Sequence, residues 1–326
     1  MTFPTNALAA VTHPDPYPYY LALLDRPALH RDDSLGLWIA ARADAVTAVL
    51  AHPECRVRPP GEPVPRALVG TPAGDVYAQL VRMTDGEAHY RRKPAVSDAL
   101  RSLDLATVAA ESRRWAVELA VDQWDTLAVR VLAAVLGASE SRVSDVAGWT
   151  AELVQGFARP DAERATAAAT NLLGVFPDPN TIGYLVQSYD ATAGLIGSTL
   201  LALASGRADP LPDLVRWVVR HDPPVHNTRR YPVAGVTILG HDVRRGETIL
   251  VVLAAANLDS SAYGPFTFGI GPHACPGAQL ATTIATAAVG ALMDRGVDLR
   301  GLARSGYRPL PNARVPILTR NAHAQP

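Results

Sequence analysis

The stretch Phe268-Gly269-Ile270-Gly271-Pro272-His273-Ala274-Cys275-Pro276-Gly277, followed by Ala278-Gln279-Leu280-Ala281, holds the residue types best suited to chemistry. It reads as a glycine-punctuated loop that presents one cysteine immediately ahead of a helical run. Proline is well tolerated at a first helical position, and Gly277 lets another surface approach closely. A sulfur near the N–H groups of a helix N-terminus has its thiolate form stabilised, which is what a thiolate metal ligand needs. Taken alone, Cys275 is better described as a small buried residue in a turn. His273 adds a second zinc-type ligand, but no further pair stands nearby, and zinc takes four.

The remainder of the chain must position this loop. Its 326 residues are enough for one large domain or two ordinary ones, and 48% of them are hydrophobic, as in a globular protein. Only two cysteines occur, Cys55 and Cys275, which excludes a disulfide scaffold and a Cys-rich zinc or iron–sulfur site. Thirty basic and thirty-one acidic residues leave a net charge of −1, so neither nucleic acid nor an anionic membrane is an expected partner. The first residues have neither a basic start nor an apolar run, and no stretch approaches the length of a membrane span. A cytoplasmic protein is the expectation.

Apolar residues spaced by three and four predict helices over 43–51, 105–121, 126–136, 141–157, 162–173, 180–205, 211–221 and 276–294. Gly137, Gly206 and Gly296 are their expected stops, and Asn180 is the expected cap of the longest. The texture becomes β-rich over 233–239 and 248–253, with a late strand over 315–318. Cys55 falls near the end of an early helix and reads as structural. The fold class is mainly α with a minor β element.

Phe268, Gly269, Gly271, His273, Cys275 and Gly277 stand at the six specified positions of the haem-binding loop of cytochromes P450, and the sequence resembles that family. The resemblance implies a P450-like fold, reduced in size, forming a single haem-thiolate domain over 1–326. It implies haem (heme b, iron protoporphyrin IX) as cofactor, with Cys275 as the iron ligand. The order HDPPVHNTRRYPV, beginning at His221, is similar to the passage from the family's K helix into the next strands. Arg230 there takes the place of an arginine that pairs with a haem propionate, and His273 is a second candidate. Asp85 to Lys93 resembles the approach to the family's C helix, where His89 matches a propionate contact and Lys93 replaces an arginine. Pro94 disfavours helical geometry at Lys93, so a shared face for His89 and Lys93 does not follow.

Three departures accompany the resemblance. In Gln187-Ser188-Tyr189-Asp190-Ala191-Thr192, which falls on the family's oxygen-activation segment, Asp190 keeps the catalytic acid while Ala191 replaces the usual alcohol. Thr192 points elsewhere on a helix. The family's Glu-x-x-Arg appears as Trp217-Val218-Val219-Arg220, leaving Asp222 as a candidate partner for Arg220. The meander between Asn257 and Phe268, and the lid region between Asp85 and Asp190, are short. The resemblance therefore implies a haem-thiolate oxidoreductase acting on a small or carrier-bound secondary metabolite. Electrons would come from a ferredoxin and ferredoxin-reductase type donor, or the oxidant would be peroxide. Coupling, dehydrogenation or peroxide-driven oxidation asks less of the missing alcohol than hydroxylation does. The alternative is a catalytically silent module that keeps the fold for binding or recruitment.

Overall fold

The computed structural model describes residues 3–159 and 161–320. The chain forms two compact units, each assembled from separated stretches. The first comprises the residues up to Pro60, Gly194–Cys275 and those from Asp298 onward; the second comprises Gly61–Ala193 and Pro276–Val297.

The first unit is built on a five-stranded sheet in the order Leu29–Asp32, Leu37–Ala40, Ile249–Val251, Thr228–Pro232, Cys55–Arg56. Leu37–Ala40 runs parallel to Ile249–Val251, and the other neighbours are antiparallel. The central strand is buried at all three positions, as expected where both sheet faces are covered. Alternation assigns the faces. Ile249, Val251 and Ala40 join a core with the helix Ala43–Ala51 and Phe266, while Leu250 and Ile39 join one with Tyr20, Leu23 and Ala254. The expected strand over 233–239 is shorter in the structure, Val236–Ile238, and a strand the sequence did not suggest, Thr228–Pro232, precedes it. Thr228–Pro232 is polar in sequence and is held by its pairing with Ile249–Val251.

The second unit is helical. Leu105–Glu118 packs on Ala278–Asp294 and on Leu127–Val135, and Glu140–Ala158 packs on Ala162–Leu173. The glycine stops hold, since Gly137, Gly206 and Gly296 all have positive φ just past their helices. The long helix Pro179–Ala204 starts differently from expectation. The Asp178 carboxylate accepts the Asn180 N–H at 3.0 Å, with proline at the first position, while the Asn180 side chain accepts the Val81 N–H at 3.2 Å.

One described stretch, Gly271–Asp294, does reach the length and mean hydropathy, 1.2, of a membrane-crossing helix, contrary to the sequence reading. Its apolar residues Leu280, Ile284, Ala288 and Leu292 are buried in the protein, which accounts for their character.

Gly156 sits where Glu140–Ala158 meets the next helix, and a Cβ there would lie 2.6 Å from Ala165 Cβ. Gly156→Ala is expected to destabilise the protein by about 1–3 kcal/mol through overpacking. Adding Ala165→Gly should recover most of the loss in a thermal melt; no recovery would place the strain elsewhere.

Candidate functional site

In the first unit, the cysteine loop is closed by its own backbone. The Cys275 N–H donates to the Phe268 carbonyl at 2.7 Å, the Gly269 N–H to Phe266 at 2.7 Å, and the Ala274 N–H to Gly271 at 3.0 Å. The last bond completes the short turn Gly271–His273, which leaves His273 half-buried. Gly269 and Gly271 both have φ of +66°, a conformation L side chains seldom adopt, and a Cβ on Gly271 would sit 3.4 Å from the Leu50 carbonyl oxygen. The glycine spacing is thus a backbone requirement.

From Phe268 to Gln279 no residue is buried, although this stretch includes Phe268, Ile270 and Cys275. Cys275 is exposed, while Cys55 is buried in a short strand where desolvation pushes its thiol up to about 11. The structure corrects one detail. Pro276 lies in a turn, Gly277 is the N-cap at φ −98°, and the helix begins at Ala278.

The loop's foot is tied down by neutral groups. The Thr267 hydroxyl donates to the Val219 carbonyl at 2.5 Å and accepts from Asn257 Nδ2 at 2.8 Å. Asn257 Oδ1 accepts the Phe266 N–H at 2.6 Å. The loop is therefore fixed to the helix Leu211–His221, the one that carries Trp217 in place of glutamate. Trp217 faces partly outward, its ring stacked on His221 at 4.9 Å with the Arg207 guanidinium 3.9 Å from its centroid. Asp222 does not serve Arg220, as expected from sequence; it pairs with Arg314 at 3.3 Å and accepts from the Tyr17 hydroxyl.

Arg230 is only 4% exposed, and its Nη1 donates to Thr228 Oγ1 at 3.2 Å and to the Arg229 carbonyl at 2.8 Å. A guanidinium is costly to bury, so its burial on a short strand marks it as more than a solvated charge.

In the second unit, the helix Gly86–Arg101 runs through Pro94 without interruption, which settles the relation of His89 to Lys93. They lie one turn apart on one face, with Val96 and Leu100 continuing the buried side. Proline removes the bond to the Tyr90 carbonyl, and Tyr90 and Pro94 both stand on the exposed side where water can substitute. His89 is buried, and its Nδ1 donates to the Val81 carbonyl at 3.0 Å, which fixes the ring plane. Lys93 is half-buried.

Gln187, Asp190 and Ala191 form the accessible side of the long helix at spacings of three and four, whereas Thr192 is buried. Burial pushes the Asp190 carboxyl up to about 6. No group of three or more histidine, cysteine or acidic residues that could hold a metal ion occurs among the described residues.

No family model matches the chain. Among curated proteins, it is 29% identical to cytochrome P450 107B1 of Saccharopolyspora erythraea over 53% of this chain and 56% of that one. It is 26% identical to the cytochrome P450 monooxygenase PikC of Streptomyces venezuelae over 87% of this chain and 85% of that protein. The match thus spans little more than half the length of the first relative. A crystal structure of P450BioI in complex with an acyl-ligated carrier protein superposes with a TM-score of 0.76 at 19% identity, covering 93% of this chain and 97% of that one.

Proposed function

We propose that this chain, a member of the cytochrome P450 family, is a haem-thiolate oxidoreductase acting on a small or carrier-bound secondary metabolite. The family implies a haem cofactor, and the residues present fit one. The observation that carries the reading is the exposed Cys275, held by its own N–H at 2.7 Å from the Phe268 carbonyl in a loop of accessible apolar side chains. A flat apolar macrocycle would cover such a surface, and a single thiolate suits its iron. When bound, the haem supplies oxidising power drawn from oxygen and two electrons, or from peroxide.

The chain's own residues take the following roles. Cys275 is the iron ligand, with Phe268 and Gly277 bounding its loop. Arg230, His273, His89 and Lys93 are the cationic partners for propionates, and Arg230 brings a rigid fork of donors matched to a carboxylate. Asp190 holds and releases a proton at its carboxylate near neutral pH. Ala191 contributes no hydroxyl, and the buried Thr192 does not replace it. Proton delivery then rests on the carboxylate alone, which favours coupling, dehydrogenation or peroxide-driven oxidation over ordinary hydroxylation. We read the chain as a single catalytic domain with reduced lid and meander.

A small-molecule substrate and a ferredoxin-type donor or peroxide complete the reaction. Carrier-bound substrates are supported by the carrier protein in the P450BioI complex. The absorbance spectrum of the reduced, CO-treated protein tests the reading. A thiolate-type Soret band is the expected result. Failure to take up haem when expressed with added precursor would overturn it and leave the fold serving as a binding module. Product formation with NADPH and redox proteins, set against peroxide, tests the reaction type.

A further inference from the structure

We propose that Arg314 is a positioning residue for Arg230, acting through the backbone of residues 222–230. The proposal rests on the haem reading above only for what Arg230 contacts.

Arg314 is 2% exposed and stands in the first unit, more than 80 residues from Arg230 in sequence. Its Nη1 donates to the carbonyls of Val11 at 2.9 Å and His13 at 2.8 Å, and its Nη2 to Pro14 at 3.2 Å. Its Nε lies 3.3 Å from Asp222, and its guanidinium sits 3.5 Å from the Tyr307 ring centroid. One side chain therefore fixes the N-terminal segment, the residue after the helix Leu211–His221 and the C-terminal hairpin. Only a planar fork of five donors reaches so many acceptors at once.

The backbone around Arg314 is clamped to the approach to Arg230. The Arg314 N–H donates to the Pro224 carbonyl at 2.8 Å, the His226 N–H to Asn312 at 2.9 Å, and Asn227 Nδ2 to Pro311 at 2.8 Å. Val225 and Ala313 pair as an isolated antiparallel bridge. From the other side, two glycines of the long helix close the gap. A Cβ on Gly194 would lie 2.7 Å from the Arg314 carbonyl oxygen and 2.8 Å from Pro224 Cβ, and one on Gly197 would lie 2.5 Å from Pro316 Cγ. Residues 224–227 are thus gripped between the 311–314 segment and the helix, with no slack on either side.

The strand Thr228–Pro232 begins at the next residue, and Arg230 takes its orientation from Thr228 Oγ1 and the Arg229 carbonyl. Both acceptors move with the backbone that Arg314 holds. His226, wholly buried with Nδ1 2.7 Å from the Tyr20 hydroxyl, is kept neutral by desolvation and by the Arg314 charge. Arg314 and the Tyr20 hydroxyl are the titratable groups that act on it, while Asp222, Tyr17 and Tyr307 are grouped around Arg314. The charge that organises the cluster is accordingly that of Arg314 paired with Asp222.

The test compares Arg314→Lys, Arg314→Met, Arg230→Met and the double variant Arg314→Lys/Arg230→Met. Haem transfer to an excess of apomyoglobin and amide hydrogen exchange are the two readouts. Arg314→Lys is expected to speed haem loss about tenfold, within the 10–100-fold cost typical of outer-shell partners. The double variant should lose haem no faster than Arg230→Met alone, the non-additivity expected when one residue acts through another. Exchange at Arg229–Tyr231 should accelerate while Glu140–Ala158 is unchanged. Additive haem loss, or unaltered exchange over 229–231, would overturn the proposal and leave Arg314 as a tie between termini. If Arg314→Met does not fold, Arg314→Lys decides. If the wild-type protein binds no haem, the reading of Cys275 fails, and the exchange result still decides the role of Arg314.

Discussion

Cys275→Ala is expected to abolish the thiolate-type band of the reduced, CO-treated protein and to cut oxidative turnover by more than about 100-fold, since outer-shell changes alone cost 10–100-fold. Alanine removes the sulfur while leaving the Cys275 N–H to Phe268 bond, which is a backbone bond, in place. The far-UV spectrum should therefore be retained. Cys55 does not rescue the loss. It is buried, paired with Pro232 across the sheet, and its thiol is pushed up to about 11, so it stays protonated where a ligand must be ionised. Cys55→Ser is the matched control and should keep the full band. Retention of that band in Cys275→Ala, or its loss in Cys55→Ser, would move the ligand away from residue 275.

The second large effect is expected at Asp190. Burial raises its carboxyl from 3.8 to about 6, so the folded protein binds this proton more tightly than the unfolded chain does. A raised carboxyl favours the folded state most below its unfolded value, and that benefit is lost as pH rises from about 4 through 6. Above pH 6 the folded state carries an ionised, desolvated carboxylate, a cost of up to about 3 kcal/mol at 1.36 kcal/mol for each pH unit. Asp190→Asn should thus be more stable than wild type at pH 8, and its stability should lose the pH dependence between 4 and 6. Oxygen-dependent turnover should fall by about 10²-fold, the low end for loss of a placed acid or base. Peroxide-driven turnover should fall less. Chemical denaturation at pH 4, 6 and 8 with both oxidants checks this, and equal losses with the two oxidants would argue against a proton role.

How much of this was legible in sequence follows from how local each feature is. The Cys275 loop was readable because glycines and prolines mark turns within ten residues, and the structure adds only that both inner glycines need positive φ. Helices ending at Gly137, Gly206 and Gly296 were readable for the same reason. Pro94 misled, because the rule against helical geometry before proline describes an average and here the lost bond faces solvent. The strand bearing Arg230 was missed because Thr-Arg-Arg-Tyr-Pro has no strand-like alternation of apolar residues. Its partner Ile249–Val251 lies elsewhere in the chain. Arg314 gave no signal at all, since its acceptors Val11, His13 and Pro14 lie about 300 residues away.

The interleaving of the two units has a consequence for biosynthesis. Leu37–Ala40 waits for Ile249–Val251 as its parallel neighbour, and Val11 to Pro14 wait for Arg314. Helix Leu105–Glu118 likewise waits for Ala278–Asp294. On the ribosome neither unit can close until residues 278–314 have been made, so early apolar strands emerge with their edges bare. Yield in a heterologous host should therefore respond to holdase chaperones and slower growth temperature more than to any single stabilising substitution.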